Sequence, residues 1–362
     1  MKKLKLKKLK PKLPRIKSLK RTKSVEERVS EAISTVPKIT NETVTEHREE
    51  VLSGARKYIY PLQHSKHHIV RISLSIFILV ILAFFTICGL VLYKFQGTNG
   101  FIYDITKIFP VPVAKAGGNW VSYESYLFEL RRNILYYTTL QQADFTTDSG
   151  KNQLNNLKHQ ALNTAVEFSL VNKLAAENKI IVSERDVNTQ LVLVKSENRL
   201  GSSDQIFKEI LSRYWGWNTS DFKRELKQQM TLQAVVSKLD ASTHERANSV
   251  LDKLKQGTDF ATLASQVSED NLTKTNSGQF PNAITLNDQQ VSPIITHELF
   301  KLNPGQISGI VNTGYTLDIL KVLDKSGSTL HASHIQFNFQ PIQKYTKPLI
   351  NKKNYHKYIS LH

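Results

Sequence analysis

An acidic residue interrupts an otherwise apolar run near the end of the chain. Asp318 lies within Thr316–Leu320, a stretch whose apolar neighbours predict a buried strand. A carboxylate that is removed from water needs a hydrogen-bonded or charged partner, because an unpaired buried charge is strongly destabilising. The sequence therefore indicates a paired carboxylate, and with it a polar site inside the fold.

Other patterns that could carry chemistry are weak. The sequence contains no glycine-rich phosphate-binding loop, and its 11 histidines are scattered. His64, His67 and His68 cluster beside Lys66 and could bind a metal ion, but they lack a carboxylate or thiol framework. We therefore expect no metal and no cofactor.

Basic charge is concentrated at the N-terminus. Residues 1–71 contain 19 Lys and Arg against 7 Glu, so they carry +12 of the formal net charge of +18. Residues 1–23 alone contain 12 basic residues and no acidic residue. Aromatic residues are not interleaved with this charge, and no nucleic-acid motif is present. We therefore expect residues 1–71 to be a cytoplasmic tail that attracts anionic lipids and does not bind nucleic acid.

An uncharged segment follows this tail. Residues 72–93 are 22 consecutive uncharged residues, bracketed by Arg71 and Lys94. At about 1.5 Å per residue, a helix of this length crosses a hydrocarbon core of about 30 Å. It is longer than the apolar part of a cleaved signal peptide, and the small-residue pattern at 114–116 lies too far beyond it for a cleavage site. We expect a transmembrane helix at 72–94, a cytoplasmic N-terminus and extracytoplasmic domains.

Beyond the apolar segment the pattern changes twice. Residues 95–118, with two prolines, predict an extended linker, and residues 119–241 have the periodicity of a helical domain. Trp215 and Trp217 at a helix junction are either core residues or a peptide-binding platform. Residues 242–326 mix short helices with strands and predict a small α/β domain, followed by a C-terminal segment at 327–362.

Two sets of motifs carry a resemblance to known proteins. Ordered pieces at 256–264, 268–270, 276–278 and 300–322, including the Leu-x-Pro-Gly-x-Ile-Ser turn at 302–308, resemble the parvulin-type (PpiC, rotamase) peptidylprolyl isomerase domain. Pieces at 119–122, 174–183 and 217–222 are similar to the helical chaperone region of exported folding factors of the SurA/PrsA type. The resemblance implies an α+β fold in which a SurA-like helical domain precedes a parvulin-like domain.

This resemblance implies a proline-binding site with an apolar and a polar side. Matching by register, the apolar pocket positions are Phe280, Val291, Ile295 and Phe300. On the polar side, the family's acid or Cys is Asp270, its Thr is Thr313, and one of its two His positions is occupied by Asp318. Because several of these positions depart from the family's pattern, we expect weak or absent isomerase activity.

The family's first strand, with its Ser-His-Ile signature, is missing before residue 245, whereas Leu330–Phe337 resembles it. This segment either begins a truncated second repeat or folds back to supply the missing strand. We favour the second, since a sheet without its central strand has two unpaired edges. His334 would then lie beside Asp318 and give that carboxylate its partner.

Isomerisation of a prolyl bond requires no cofactor, because its barrier of about 20 kcal/mol is the loss of amide resonance. The resemblance implies an extracytoplasmic, membrane-anchored folding factor whose partners are unfolded or proline-containing polypeptides. A non-catalytic envelope scaffold that retains only the fold is the alternative.

Overall fold

Helices make up the N-terminal part of the chain. The computed structural model describes residues 24–35, 39–59, 61–196, 203–350 and 354–361. The chain divides into two units, residues 1–84 and residues 85–362. The first contains α1 (Val25–Thr35), α2 (Asn41–Ile59) and most of α3 (Pro61–Gly89). Residues 1–23 of the basic tail, and the side chains of His64 and His67, lie outside the described residues.

Helix α3 is the apolar helix of the chain. It continues through a π-helical turn at Leu90–Lys94. The portion His68–Lys94 has a mean hydropathy of 2.9 and is long and apolar enough to cross a membrane, judged by length and composition. This matches the position of the uncharged segment in the sequence.

Six helices and one short sheet begin the second unit. The helices are α4 (Gly100–Ile108), α5 (Tyr123–Leu140), α6 (Asp148–Glu177), α7 (Glu184–Ser196), α8 (Asp204–Ile210) and α9 (Thr219–Leu239). Trp217 at the junction before α9 is 8% exposed and stacks on Phe128 with ring centroids 5.1 Å apart. Trp217 is therefore a core residue of the helix junction.

The stretch at 95–118, which we expected to be an extended linker, is folded. It contains α4 and strand β1 (Pro112–Ala116), which pairs with β2 (Asn119–Ser122). Val113, Ala114 and Ala116 are fully buried among residues of α5 and α6. The expectation was wrong because three of the four residues that follow Pro112 in β1 are apolar, and burying them stabilises a packed strand.

The parvulin-like region forms a four-stranded antiparallel sheet. Its strands are β3 (Ile284–Thr285), β4 (Ile307–Asn312), β5 (Thr316–Ser326) and β6 (Thr329–Asn338), in the order β3-β6-β5-β4. Strand β6 lies between β3 and β5, with His334 opposite Leu320 and Gln336 opposite Asp318. The segment after residue 327 therefore enters the sheet as an interior strand.

Both faces of this sheet are covered, which explains why β5 is buried without a break from Leu317 to Leu320; its last four residues, 323–326, are exposed. Helices α10 (Ala241–Lys255) and α11 (Phe260–Val267) pack on one face, against Leu317 and Ile319. Helix α12 (Pro293–Lys301) and the chain around β3 cover the other face, against Leu320 and Val322. Because side chains alternate along a strand, Asp318 shares the second face with Leu320.

After β6 the chain leaves the sheet, and the described residues that follow pack against the helical region. Helix α13 (Gln343–Thr346) follows Ile342, which packs with residues of α6 and α9. Strand β7 (His356–Lys357) pairs with β1, and Ile359 joins the core around α5. These apolar residues find their partners in the helical region, since both faces of the sheet are already covered.

A buried acid lies in the helical region. Glu129 on α5 is 2% exposed, and Arg132 lies 2.8 Å from one carboxylate oxygen. Among the described residues, however, neither oxygen accepts a hydrogen bond of good geometry, so Arg132 acts on this carboxylate by its charge. Burial raises the pKa of Glu129 to about 7 against the opposing charge of Arg132, and the Glu225 carboxylate adds repulsion.

Candidate functional site

A histidine lies between two carboxylates at the centre of the sheet. The Nδ1 atom of His334 on β6 is 2.9 Å from Oδ1 of Asp318 on β5. Its Nε2 atom is 3.0 Å from Oδ2 of Asp270 and 2.9 Å from the hydroxyl of Thr273. The side chain of Asp318 is fully buried and that of His334 is 4% exposed, whereas Asp270 is 19% exposed.

Hydroxyl groups extend this arrangement at both ends. The Thr273 hydroxyl donates to Asp270 Oδ2 at 2.7 Å. At the other end, the Thr316 hydroxyl donates to Asp318 Oδ2 at 2.5 Å and lies 2.7 Å from the hydroxyl of Thr313. The polar groups therefore form one continuous chain of hydrogen bonds from the α11–β3 connection to the β4–β5 turn.

The hydrogen-bond directions determine the charge that this site favours. Ionised carboxylates only accept hydrogen bonds, so His334 satisfies Asp318 and Asp270 together only when both ring nitrogens carry a proton. Burial opposes ionisation of Asp270, but hydrogen bonds from Thr273, from the Leu272 backbone N–H and from His334 outweigh it and hold the pKa of Asp270 below its usual value. The geometry thus favours an imidazolium held between two carboxylates.

Backbone contacts position the loops that carry these groups. The Ser268 hydroxyl accepts from the backbone N–H of Gln336 at 3.1 Å, which ties the segment leading to Asp270 to β6. The backbone N–H of His334 donates to the carbonyl of Gly278 at 2.8 Å. Gly278 has φ +77°, and a Cβ atom there would lie 2.3 Å from the His334 carbonyl oxygen. Only glycine permits this close approach without displacement of the strand.

An apolar wall adjoins the polar chain. The ring of Phe280 stacks on the imidazole of His334, with centroids 4.4 Å apart. Phe280, Val291 and Phe300 are half-buried and pack against the cluster that includes the buried Ile295. Phe280, Val291 and Ile295 line an open cleft, whereas Phe300 is not among the residues that line it.

The cleft is shared between the sheet domain and the helical region. Its volume is about 1790 Å³, and Asp270, Thr273, Thr313 and His334 contribute polar lining beside the apolar wall. The helical region contributes apolar residues of α9, α7 and the turn before α7, namely Ile180, Ile181, Val182, Leu193, Val194, Leu226 and Met230. The same helices also contribute polar residues, among them Gln190, Gln229 and Gln233. A concave surface that combines apolar residues with converging polar groups is typical of a ligand-binding cleft.

The structure brings together most of the residues singled out from the sequence. Asp270, Asp318, Thr313 and His334 belong to the one hydrogen-bond chain. Sequence reasoning assigned no role in this chain to Thr273 or Thr316. Spacing could have indicated both. Thr316 lies two positions before Asp318 on the same strand face, and Thr273 lies three positions after Asp270 in a turn.

Two family models match the chain. Residues 62–236 match the SurA-like N-terminal domain, and residues 229–324 match the PPIC-type PPIASE domain. The resemblance carried by the sequence motifs is thereby confirmed. The second match ends before β6 begins.

Similar proteins align with part of this chain. The parvulin-like PPIase of Rickettsia bellii is 29% identical over 160 residues, which are 42% of this chain and 54% of the relative. Foldase protein PrsA of Clostridium acetobutylicum is 25% identical over 204 residues, or 47% of this chain and 60% of the relative. The chain thus spans between one half and two thirds of the length of these relatives.

Among solved structures, PrsA from Bacillus subtilis is 19% identical and covers 56% of this chain and 80% of that chain. The TM-score is 0.21.

Proposed function

We propose that this chain, in which a SurA-like N-terminal domain precedes a PPIC-type PPIase domain, is a membrane-anchored extracytoplasmic folding factor. It holds proline-containing segments of unfolded polypeptides and isomerises them slowly or not at all. The observation that carries the proposal is the shared cleft, which Phe280 and His334 line together with apolar residues of the helical region.

The cleft is large enough to bind an extended polypeptide, with a proline ring of that polypeptide against Phe280. The ring of Phe280, supported from behind by His334, offers an apolar surface of the size of a pyrrolidine ring. Val291 and Ile295 continue this surface. Exposed apolar residues across the cleft, such as Ile181 at 86% exposure, would contact flanking parts of the client. Such contacts bind apolar segments without reading a particular sequence.

Slow turnover follows from the hydrogen bonds inside the site. A catalyst must stabilise the twisted amide more than the planar one, which requires groups that are free to interact with the substrate. Here the hydrogens of His334 are committed to Asp318 and Asp270, and the hydroxyl of Thr316 is committed to Asp318. The site is therefore better suited to holding a proline than to accelerating its rotation.

We further infer that β6 replaces the first strand of the family's domain. In support, the family match ends at residue 324, and β6 carries the Ser-His-Ile signature at Ser333–Ile335. Its position between β3 and β5 provides hydrogen-bond partners for two strands that would otherwise have free edges. In this arrangement the domain is circularly permuted, and His334 takes the place of the histidine on the family's first strand.

The binding and the turnover can be measured together. We expect an unfolded, proline-containing peptide to bind the purified chain, while cis–trans exchange NMR of its Xaa-Pro bond shows little acceleration. Phe280→Ala should weaken binding, because it removes the ring that lines the cleft. Phe300→Ala is the matched control, since this ring packs on the same cluster outside the cleft.

Three outcomes would count against the proposal. Exchange at the speed typical of the family would refute slow turnover. Equal affinities of the two Phe variants, both verified as folded by circular dichroism, would refute the assigned pocket. Failure to suppress aggregation of unfolded clients, together with stoichiometric binding to one folded protein, would favour the envelope scaffold instead.

A further inference from the structure

The last turns of the apolar helix are part of the folded second unit. Residues 85–94 belong to the same compact unit as residues 95–362. Leu92 is 3% exposed and lies in the core with residues of β1, β2 and α5. The Tyr123 hydroxyl donates to the Leu92 carbonyl at 2.6 Å, and the Tyr93 hydroxyl donates to the Pro112 carbonyl at 2.6 Å. The last turn of the helix is therefore held rigidly inside the fold.

Helix α4 returns towards the apolar helix. The ring of Phe109, just after α4, makes an edge-to-face contact with the ring of Phe85, with centroids 5.8 Å apart. Phe85 lies nine residues before Lys94. This corresponds to roughly 13 Å along a helix axis. The end of α4 thus lies level with the apolar part of the helix and not with its charged end.

The exposed face of α4 is apolar, whereas the exposed face of a helix in contact with water is usually polar. Phe101 and Ile108, seven residues apart on α4, are 74% and 71% exposed, while Ile102 on the inner face is 9% exposed. Phe95, between the two helices, is 70% exposed. The acid on α4, Asp104, is paired with Lys107 at 3.1 Å.

We infer that Phe95, Phe101 and Ile108 form a collar that inserts into the outer interface of the bilayer. This inference rests on the proposed membrane anchoring. The occupant is a lipid surface, because the collar is tied both covalently and by the Phe85–Phe109 contact to the apolar helix. Aromatic side chains with adjacent lysines are typical of the membrane interface, where the lysines extend towards the headgroups. The collar would fix the orientation of the cleft above the membrane.

Spin labels test the collar in the full-length chain reconstituted in lipid nanodiscs. Cys88 is the sole cysteine of the sequence. A Cys88→Ala background therefore allows single labels through Phe101→Cys and Ile108→Cys. Leu272→Cys is the control, since Leu272 is equally apolar and 86% exposed but lies in the sheet domain. We expect labels at 101 and 108 to be more accessible to oxygen than to a water-soluble nickel complex, and the label at 272 to show the reverse.

Carbonate extraction of the same variants distinguishes failure of the collar from failure of the membrane anchoring. If the chain resists extraction but the labels at 101 and 108 behave like the label at 272, the collar is refuted and the anchoring stands. If carbonate releases the chain, the anchoring is refuted and the collar with it.

Discussion

The buried pair of Asp318 and His334 has an internal control on the same two strands. His331 on β6 and Asp324 on β5 also lie 2.9 Å apart. The side chains of that second pair are 45% and 61% exposed, whereas those of His334 and Asp318 are 4% and 0% exposed. The two pairs therefore share residue types, strands and distance, and differ in burial.

Burial predicts very different costs for breaking each pair. Removing one partner of a buried ion pair costs about 3–5 kcal/mol, because the other partner loses compensation in a region of low dielectric. His334 keeps its contact with Asp270, so the cost of Asp318→Ala should fall at the lower end of this range. Asp318→Ala also removes the acceptor of the Thr316 hydroxyl. An exposed pair contributes only about 0–1 kcal/mol, so Asp324→Ala should be nearly neutral. Asp318→Asn should cost roughly half as much as Asp318→Ala, since neutral hydrogen bonds are about half as strong as charged ones.

Hydrogen exchange of the amides in β5 and β6, read by mass spectrometry, measures these costs locally. Tryptophan fluorescence is unsuitable, because the tryptophans all lie outside this sheet, at Trp120, Trp215 and Trp217. A cost of 3 kcal/mol or more accelerates exchange through opening roughly 100-fold, since each 1.4 kcal/mol corresponds to a factor of ten. Exchange in Asp318→Ala that matches Asp324→Ala to within a few-fold would contradict the assignment of a buried, charged pair.

Two further predictions concern the helical core and the tight approach to β6. A carboxyl whose pKa is raised on folding, from 4.5 to about 7 for Glu129, binds protons more strongly in the folded state, so the free energy of unfolding falls as pH rises between these values. Between pH 5 and pH 8, the free energy of unfolding of Glu129→Gln should therefore rise by up to about 3 kcal/mol relative to that of the parent, as measured by urea titration. Glu177→Gln changes an exposed residue and should show no such rise. Gly278→Ala should lower the free energy of unfolding by about 1–3 kcal/mol more than Gly257→Ala does. Both glycines have a positive φ, but of the two only Gly278 would place a Cβ atom against the His334 carbonyl. Equal losses in the two variants would contradict the close approach.

Local patterns determined much of this protein before any coordinates. The uncharged run at 72–93 predicted a single apolar helix, because its length and composition leave few alternatives. Helical periodicity predicted the helical domain that contains α5 and α6, and Ser122 caps α5 by accepting from the Ser125 backbone N–H. These features can be read from the sequence because helical periodicity and helix capping depend only on residues a few positions apart.

Local sequence rules do not identify the first residue of a helix where two or more candidate capping residues lie close together. Thr219 and Ser220 are both residue types that cap helices, but Asn218 caps α9 and forms a capping box with Asp221. Ser242 and Glu245 have the spacing of a capping box, but Asp240 caps α10 and also accepts from the backbone N–H of Gln340. The second contact explains the outcome, because a long-range partner adds to the stability of one cap over another.

Only the tertiary structure decided which groups complete the site. From the sequence, Asp318 required a partner, and strand pairing suggested His334, 16 residues away. That His334 also meets Asp270, 64 residues away, depends on the loop held to β6 by Ser268. The folding of 95–118 and the return of the C-terminus to the helices were likewise invisible, because each depends on which apolar surfaces remain uncovered once the other elements have packed. A one-dimensional pattern states that a side chain must be buried or paired, whereas its partner is selected by packing across the whole fold.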